Sequence, residues 1–121
     1  MRPTQRTIRE LKNNGRVCAI VEKWNPHVGS HGIRQDLFGI IDVLALDPER
    51  GVIGVQCCGG GLASHRRKII EERAQETYDW LSTPGTKLEI WAWRKVKLKR
   101  KGKAMRWRPK IIEITLDDLE G

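Results

Sequence analysis

Residues 42–58 read DVLALDPERGVIGVQCC, two apolar runs around Asp-Pro-Glu-Arg-Gly. The pentapeptide is a turn by composition, because Asp, Pro and Gly each favour chain reversal for their own steric reason. The runs beside it are then antiparallel neighbours, one over residues 36–46 (DLFGIIDVLAL) and one over Gly51–Cys58. With a five-residue loop Leu46 faces Val52, and counting outward sets Asp42 opposite Gln56. Such a pair shares one sheet face with Cβ atoms about 4.5–5.5 Å apart. Both are polar residues in apolar strands. A buried carboxylate is costly unless it is paired, hydrogen-bonded or bound to a metal. Asp42 and Gln56 therefore either bond each other and nearby backbone, or offer two oxygens to one hard cation such as Mg²⁺.

The remaining elements follow from their punctuation. Residues 16–24 alternate Val17, Ala19 and Val21 with Cys18, Ile20 and Glu22. Both faces are apolar until the charged end, as in an interior strand. A short helix precedes it, capped by Thr4 or by a Thr7–Glu10 capping box and stopped at Asn13-Asn14-Gly15. Residues 25–33 (NPHVGSHGI) are a loop by composition. After the hairpin, Gly59-Gly60-Gly61 leads into a helix over about 62–81, where Leu62, Ile69, Ile70, Tyr78 and Leu81 recur at helical spacing. Pro84-Gly85 turns the chain into a fourth strand over 87–96 (KLEIWAWRKV), and a fifth covers 107–116 (WRPKIIEITL) across a basic loop. The order α-β-β-β-α-β-β, with a helix crossing between strands three and four, predicts an α/β (α+β) fold. Its mixed sheet has four or five strands flanked by helices.

At 121 residues the chain fits a single domain, 1–121. No apolar run approaches the roughly 20 residues of a membrane span, and the N-terminus lacks the apolar stretch of a secretory signal. Three cysteines, two of them adjacent, make no disulfide framework. The expectation is a cytoplasmic protein. No Cys-x-x-Cys spacing supports structural zinc, and the glycine tract is not followed by the Lys-Ser/Thr of a phosphate-binding loop.

Charge is more informative. The chain carries 23 Lys and Arg against 15 acids, a net +8, and its pI is about 9.8. Between Arg94 and Lys110 lie Lys95, Lys97, Lys99, Arg100, Lys101, Lys103, Arg106 and Arg108 and no acid. A second knot is His65-Arg66-Arg67-Lys68. Clustered bases at this pI are the electrostatic footprint of a nucleic-acid binder. Trp107, inside Arg106-Trp107-Arg108, is the best aromatic candidate for a base contact. Trp91 and Trp93 share one strand face and fit core packing better. Of the other acids, Glu22 approaches the Asp42–Gln56 face from strand one. Asp36, six residues before Asp42, would stand about 20 Å away in a straight strand and share no metal with it; an ion pair at the start of its strand suits it better.

The element order and these residues resemble the PD-(D/E)XK nuclease superfamily. In outline the chain is similar to archaeal-type Holliday junction resolvases and virus-type replication-repair nuclease domains, over roughly residues 4–115. The family signature is an Asp ending the second strand, then Glu or Gln, any residue and Lys on the third. Asp42 in GIID and Gln56 in VQCC match it, and Glu10 matches the helix-one Glu of the resolvases. The signature Lys falls on Cys58, a departure. Lys68, Arg67 and Arg66 in the following helix are candidate substitutes, with Lys23 another. The resemblance implies a restriction-endonuclease-like fold and a DNA endonuclease dependent on Mg²⁺ or Mn²⁺. Asp42, Gln56, Glu10, Glu22 and Lys68 would form its site, and Asp42 with Gln56 would hold the metal. Branched or duplex DNA would lie against Arg66, Arg67, Lys68, Lys97, Lys99, Arg100, Lys101, Lys103, Arg106, Trp107 and Arg108. A homodimer and a prokaryotic or viral source are also implied. The alternative is a catalytically inactive nucleic-acid-binding module on the same fold.

Overall fold

The computed structural model describes residues 1–120. Helix α1 (Pro3–Asn13) starts on proline, whose missing N–H costs nothing in a first turn. It therefore begins before either threonine expected to cap it, and no side chain caps it. Thr7 instead donates its hydroxyl back to the Pro3 carbonyl at 2.9 Å. The helix stops at Asn14 and Gly15, whose left-handed φ of 78° lets Arg16 N–H return to the Leu11 carbonyl.

Strand β1 (Val17–Ile20) is followed by a small hairpin, β2 (Lys23–Asn25) and β3 (Ile33–Gln35), paired Lys23 to Gln35 and Asn25 to Ile33. The expected strand over 16–24 thus breaks at Val21-Glu22. The expected loop is the tip of an arm that pairs only with itself. Strands β4 (Val43–Asp47) and β5 (Gly51–Cys58) have the predicted register, Leu46 on Val52, extended by one rung, Asp47 on Gly51. Asp47 builds the turn by accepting from the N–H groups of Glu49 at 2.9 Å and Arg50 at 3.3 Å.

The expected single helix over 62–81 is three pieces. These are α2 (Leu62–Arg67), a π turn (Lys68–Glu72) and α3 (Ala74–Ser82). Thr77 donates to the Ile69 carbonyl at 2.8 Å, which occupies an acceptor of the helical ladder and fits a widened turn. Strands β6 (Thr86–Lys97) and β7 (Met105–Ile114) complete the chain with a short 3₁₀ turn (Leu116–Leu119). The sheet order is β1-β4-β5-β6-β7, with β5 and β6 parallel and the other pairs antiparallel. This is the mixed α/β class that the element order predicts. One strand is misplaced by that reading: β1 lies at the sheet edge beside β4, with Val17 and Ile20, on opposite faces, both exposed.

Strand alternation divides the core. Val43, Ala45, Ile53, Val55, Cys57, Trp91 and Trp93 pack under α1 with Leu11. Ile69 of the π turn, with Trp80 and Leu81 of α3, packs on Cys58, Leu88, Ile90 and Ala92 across the other face. Trp91 and Trp93 are core residues, as their shared face suggests, and their indole N–H groups reach Glu89 and Thr7. No helix among the described residues is long and apolar enough to cross a membrane.

The parallel β5–β6 pair begins where Val52 N–H donates to the Gly85 carbonyl at 2.8 Å. Gly51 sits beside that carbonyl at φ 108°, and a Cβ there would overlap the Gly85 oxygen. Gly15 has a similar left-handed φ but open space around it. Gly51→Ala should therefore cost about 3 kcal/mol, against about 1 kcal/mol for Gly15→Ala, where only conformation is strained. Urea unfolding of the two variants beside the wild type measures both; equal costs would contradict the overlap.

Candidate functional site

Asp42 lies one residue before β4, one step beyond the Val43–Val55 pair, where the register sets it against Gln56. The two side chains meet. Gln56 Nε2 donates to Asp42 Oδ2 at 3.0 Å, and Cys57 N–H donates to the same oxygen at 2.8 Å. Both residues are buried, Gln56 almost completely.

The straight-strand expectation for Asp36 is wrong. After β3 the chain reverses between residues 37 and 41, with Leu37 N–H donating to Ile41 O and Gly39 N–H to Asp36 O. Phe38 (φ 56°) and Gly39 (φ 76°) are both left-handed, which makes this reversal possible. Asp36 is thereby folded back onto Asp42, and its Oδ2 accepts from Gln56 Nε2 at 3.1 Å. Glu22 arrives from the other side. Val21 N–H donates to the Asp42 carbonyl at 2.8 Å, which holds the next residue beside the pair. One carboxylate oxygen from each of Glu22, Asp36 and Asp42 lies within 4.8 Å of the others.

Cations surround these acids. Lys68 opens the π turn, and its Nζ stands 3.1 Å from Asp36 Oδ2. Arg2 and Arg34 both pair with Glu22. The acids and Lys68 lie in an open cleft of about 760 Å³, whose wall also includes the start of α1 and Arg73. His65 Nδ1 lies 3.2 Å from Gln56 Oε1. Two carboxylates on one side and a ring nitrogen on the other fix the Gln56 amide with its NH₂ towards the acids.

Electrostatics separates the two aspartates. Burial, then the hydrogen bond with Asp36, pushes the Asp42 carboxyl up to about 8, against the pull of the Cys57 N–H. Burial also raises Asp36, but hydrogen bonds from Asp42, Gln56 and Lys68 outweigh it and hold that carboxyl below its ordinary value. Near neutral pH the pair shares one proton. Burial and then Lys68 lower His65, keeping the imidazole neutral. Burial raises the thiols of Cys57, to about 12, and Cys58, so neither is a nucleophile.

Of the residues singled out in the sequence, Asp42, Gln56, Glu22 and Lys68 come together, and Asp36 and His65 join them. Glu10 does not. Helix α1 presents its N-terminal end to the cleft, and Glu10 lies six residues, about 9 Å, further along from Thr4. Lys23 is exposed in β2 opposite Gln35. Cys58 packs in the core against the π-turn layer. Arg66 turns away to Asp118 at 2.9 Å, whereas Arg67 lines a smaller cleft adjoining Lys68. Lys97, Lys99, Arg100, Lys101, Lys103, Arg106 and Arg108 are exposed on the β6–β7 hairpin. Trp107 is less free than its sequence context suggests, because the Arg6 guanidinium sits 4.1 Å over its ring and Lys95 Nζ lies 5.4 Å away. Asp36 had one sequence signal: Gly39, a glycine inside an apparent strand, marks a bulge or turn. His65 had only its place beside three bases.

No protein-family model, curated protein or solved structure matches this chain.

The raised Asp42 carboxyl fixes a pH dependence. Its folded value of about 8 lies above the ordinary 3.8. The folded state therefore binds the extra proton between those limits, and stability from this group falls as pH rises through that window. Asp36, shifted the other way, acts only at more acid pH. In EDTA the melting temperature should fall from pH 6 to pH 9 more steeply in the wild type than in Asp42→Asn. Mn²⁺ should raise it more at pH 9 than at pH 6. Parallel wild-type and variant profiles would refute the shared proton.

Proposed function

We propose that this protein is a metal-dependent phosphodiesterase acting on DNA. The convergence of Asp42, Asp36, Glu22 and Gln56 on one point, with Lys68 beside them, carries the reading. This is an oxygen-rich donor set of the kind that hard divalent cations such as Mg²⁺ or Mn²⁺ prefer. The hydrogen bonds within the cluster fit the same conclusion. A shared proton and the Gln56 NH₂ lie where positive charge is needed, and turning that amide over would present Oε1 instead. Neutral His65 can donate to or accept from either orientation.

A divalent ion held there supplies Lewis acidity towards a phosphodiester and eases ionisation of a water nucleophile. The chain supplies the rest. Lys68 Nζ is placed to orient that water or to hold a non-bridging phosphate oxygen, the task that Cys58 cannot perform. Arg2 and Arg34, both exposed at the cleft, neutralise flanking phosphates. His65 fixes the Gln56 amide. The basic β6–β7 hairpin, and Arg67 beside Lys68, hold the remaining backbone.

A second reading, a binding module without catalysis, draws support from Cys58 at the position of the missing lysine. Cleavage of labelled four-way junction, flap, duplex and single-stranded DNA in Mg²⁺, Mn²⁺ or EDTA separates the two. The expected result is metal-dependent cutting. Asp42→Asn should reduce it by more than the about 10–100-fold typical of a lost outer-shell partner. Lys68→Ala should reduce kcat by about 10²-fold while Mn²⁺ affinity changes little. Salt-sensitive binding with no cutting in any metal would establish the module instead.

A further inference from the structure

The β6–β7 hairpin outruns the sheet. The last β5 residue, Cys58, pairs with Ala92, so Trp93–Lys97 and Met105–Pro109 pair only with each other. Five rungs at about 3.3 Å make a ribbon about 16 Å long, held at its base by Trp93, packed under α1, and by Arg6 over Trp107. Leu98 N–H bonds Ala104 O, and Gly102 N–H bonds Lys99 O, which closes its tip.

Its charges stand on both faces. Pairing Arg94 with Arg108 and Val96 with Arg106 puts three arginines on the face continuous with Ala92 and Ile90. Pairing Lys95 with Trp107 and Lys97 with Met105 puts two lysines on the other. Lys99, Arg100, Lys101 and Lys103 crowd the tip. All these side chains are exposed, and none has a salt-bridge partner among the described residues. The rung Arg94–Arg108 opposes like charges directly, which destabilises a strand pair. A ribbon resting flat on a nucleic-acid backbone would need one basic face. Cations on both faces and at the tip suit a slot with phosphates on either wall.

Resting on the reading of the protein as one that acts on DNA, we propose that this ribbon enters the major groove of B-form duplex DNA. A groove about 12 Å wide admits a two-stranded ribbon, and cations reaching from both of its faces can meet phosphates on the two walls. The major groove of an RNA duplex is deep and narrow and excludes it. The partner is therefore duplex DNA, not duplex RNA or an unpaired strand.

The test is binding in EDTA, where cutting plays no part and failure of the nuclease reading leaves the result interpretable. Gel shifts would use one sequence as duplex DNA, duplex RNA and single-stranded DNA. Duplex DNA should bind at least tenfold tighter than either. Methylation of guanine N7 in the major groove should interfere, and methylation of adenine N3 in the minor groove should not. Arg94→Gln with Arg108→Gln, and separately Lys95→Gln with Lys97→Gln, should each weaken binding and each lower the salt slope by about 2. Equal affinity for duplex RNA, interference from adenine N3 alone, sensitivity confined to one face, or no binding to duplex DNA would each overturn the proposal.

Discussion

A carboxylate withdrawn from water must be answered by donors, by a proton or by a cation, and Asp42 makes that demand between two central strands. Its oxygen Oδ2 takes the Gln56 amide and the Cys57 N–H together. Gln56 is then committed in turn, with one hydrogen on Asp36 and its oxygen facing His65. Asp36 cannot stand so close to another carboxylate without Lys68 and a shared proton. Residues from three other stretches of chain, at Asp36, at Gln56 and Cys57, and at His65 and Lys68, are tied to a single buried group.

The fold supplies each answer by a different local device. The Asp47 turn sets the β4–β5 register that brings Gln56 to Asp42. A left-handed pair at Phe38 and Gly39 doubles the chain back to deliver Asp36. For Phe38 that conformation costs on the order of 1–3 kcal/mol, offset by the Ile40 and Ile41 side chains that the same turn buries completely. The widened turn at Lys68 begins where the ammonium has to point into the cleft. Irregular backbone is concentrated where the polar groups meet, and regular ladders carry the apolar layers on both sides.

This division explains what could be read in the sequence. The β4–β5 register was legible because turn chemistry and strand parity act over a few residues, and Asp42 with Gln56 came from it. Lys68 was legible as a base near a helix start. The fold class followed from element order. Asp36 was hidden because a rise per residue describes only straight strands, and the apolar run from Leu37 to Leu46 looks continuous although it contains a reversal. Glu10 matched a motif position, yet α1 turns its N-terminal end to the cleft. Strand β1 is apolar on both faces, which reads as interior; its place at the sheet edge, paired on one side only, is a property of the assembled sheet and not of the strand.

Glu22 directly precedes β2 and Asp36 directly follows β3, so the hairpin between them has both feet in the acidic cluster. Its strands pair only with each other. For chain evolution the arm is a cassette. Residues added at its tip cost only loop-closure entropy, about 0.6 kcal/mol per doubling of length, and leave the two carboxylates where they stand. The tip can gain length without disturbing the site, while the two residues at its base are tied to the same point in space.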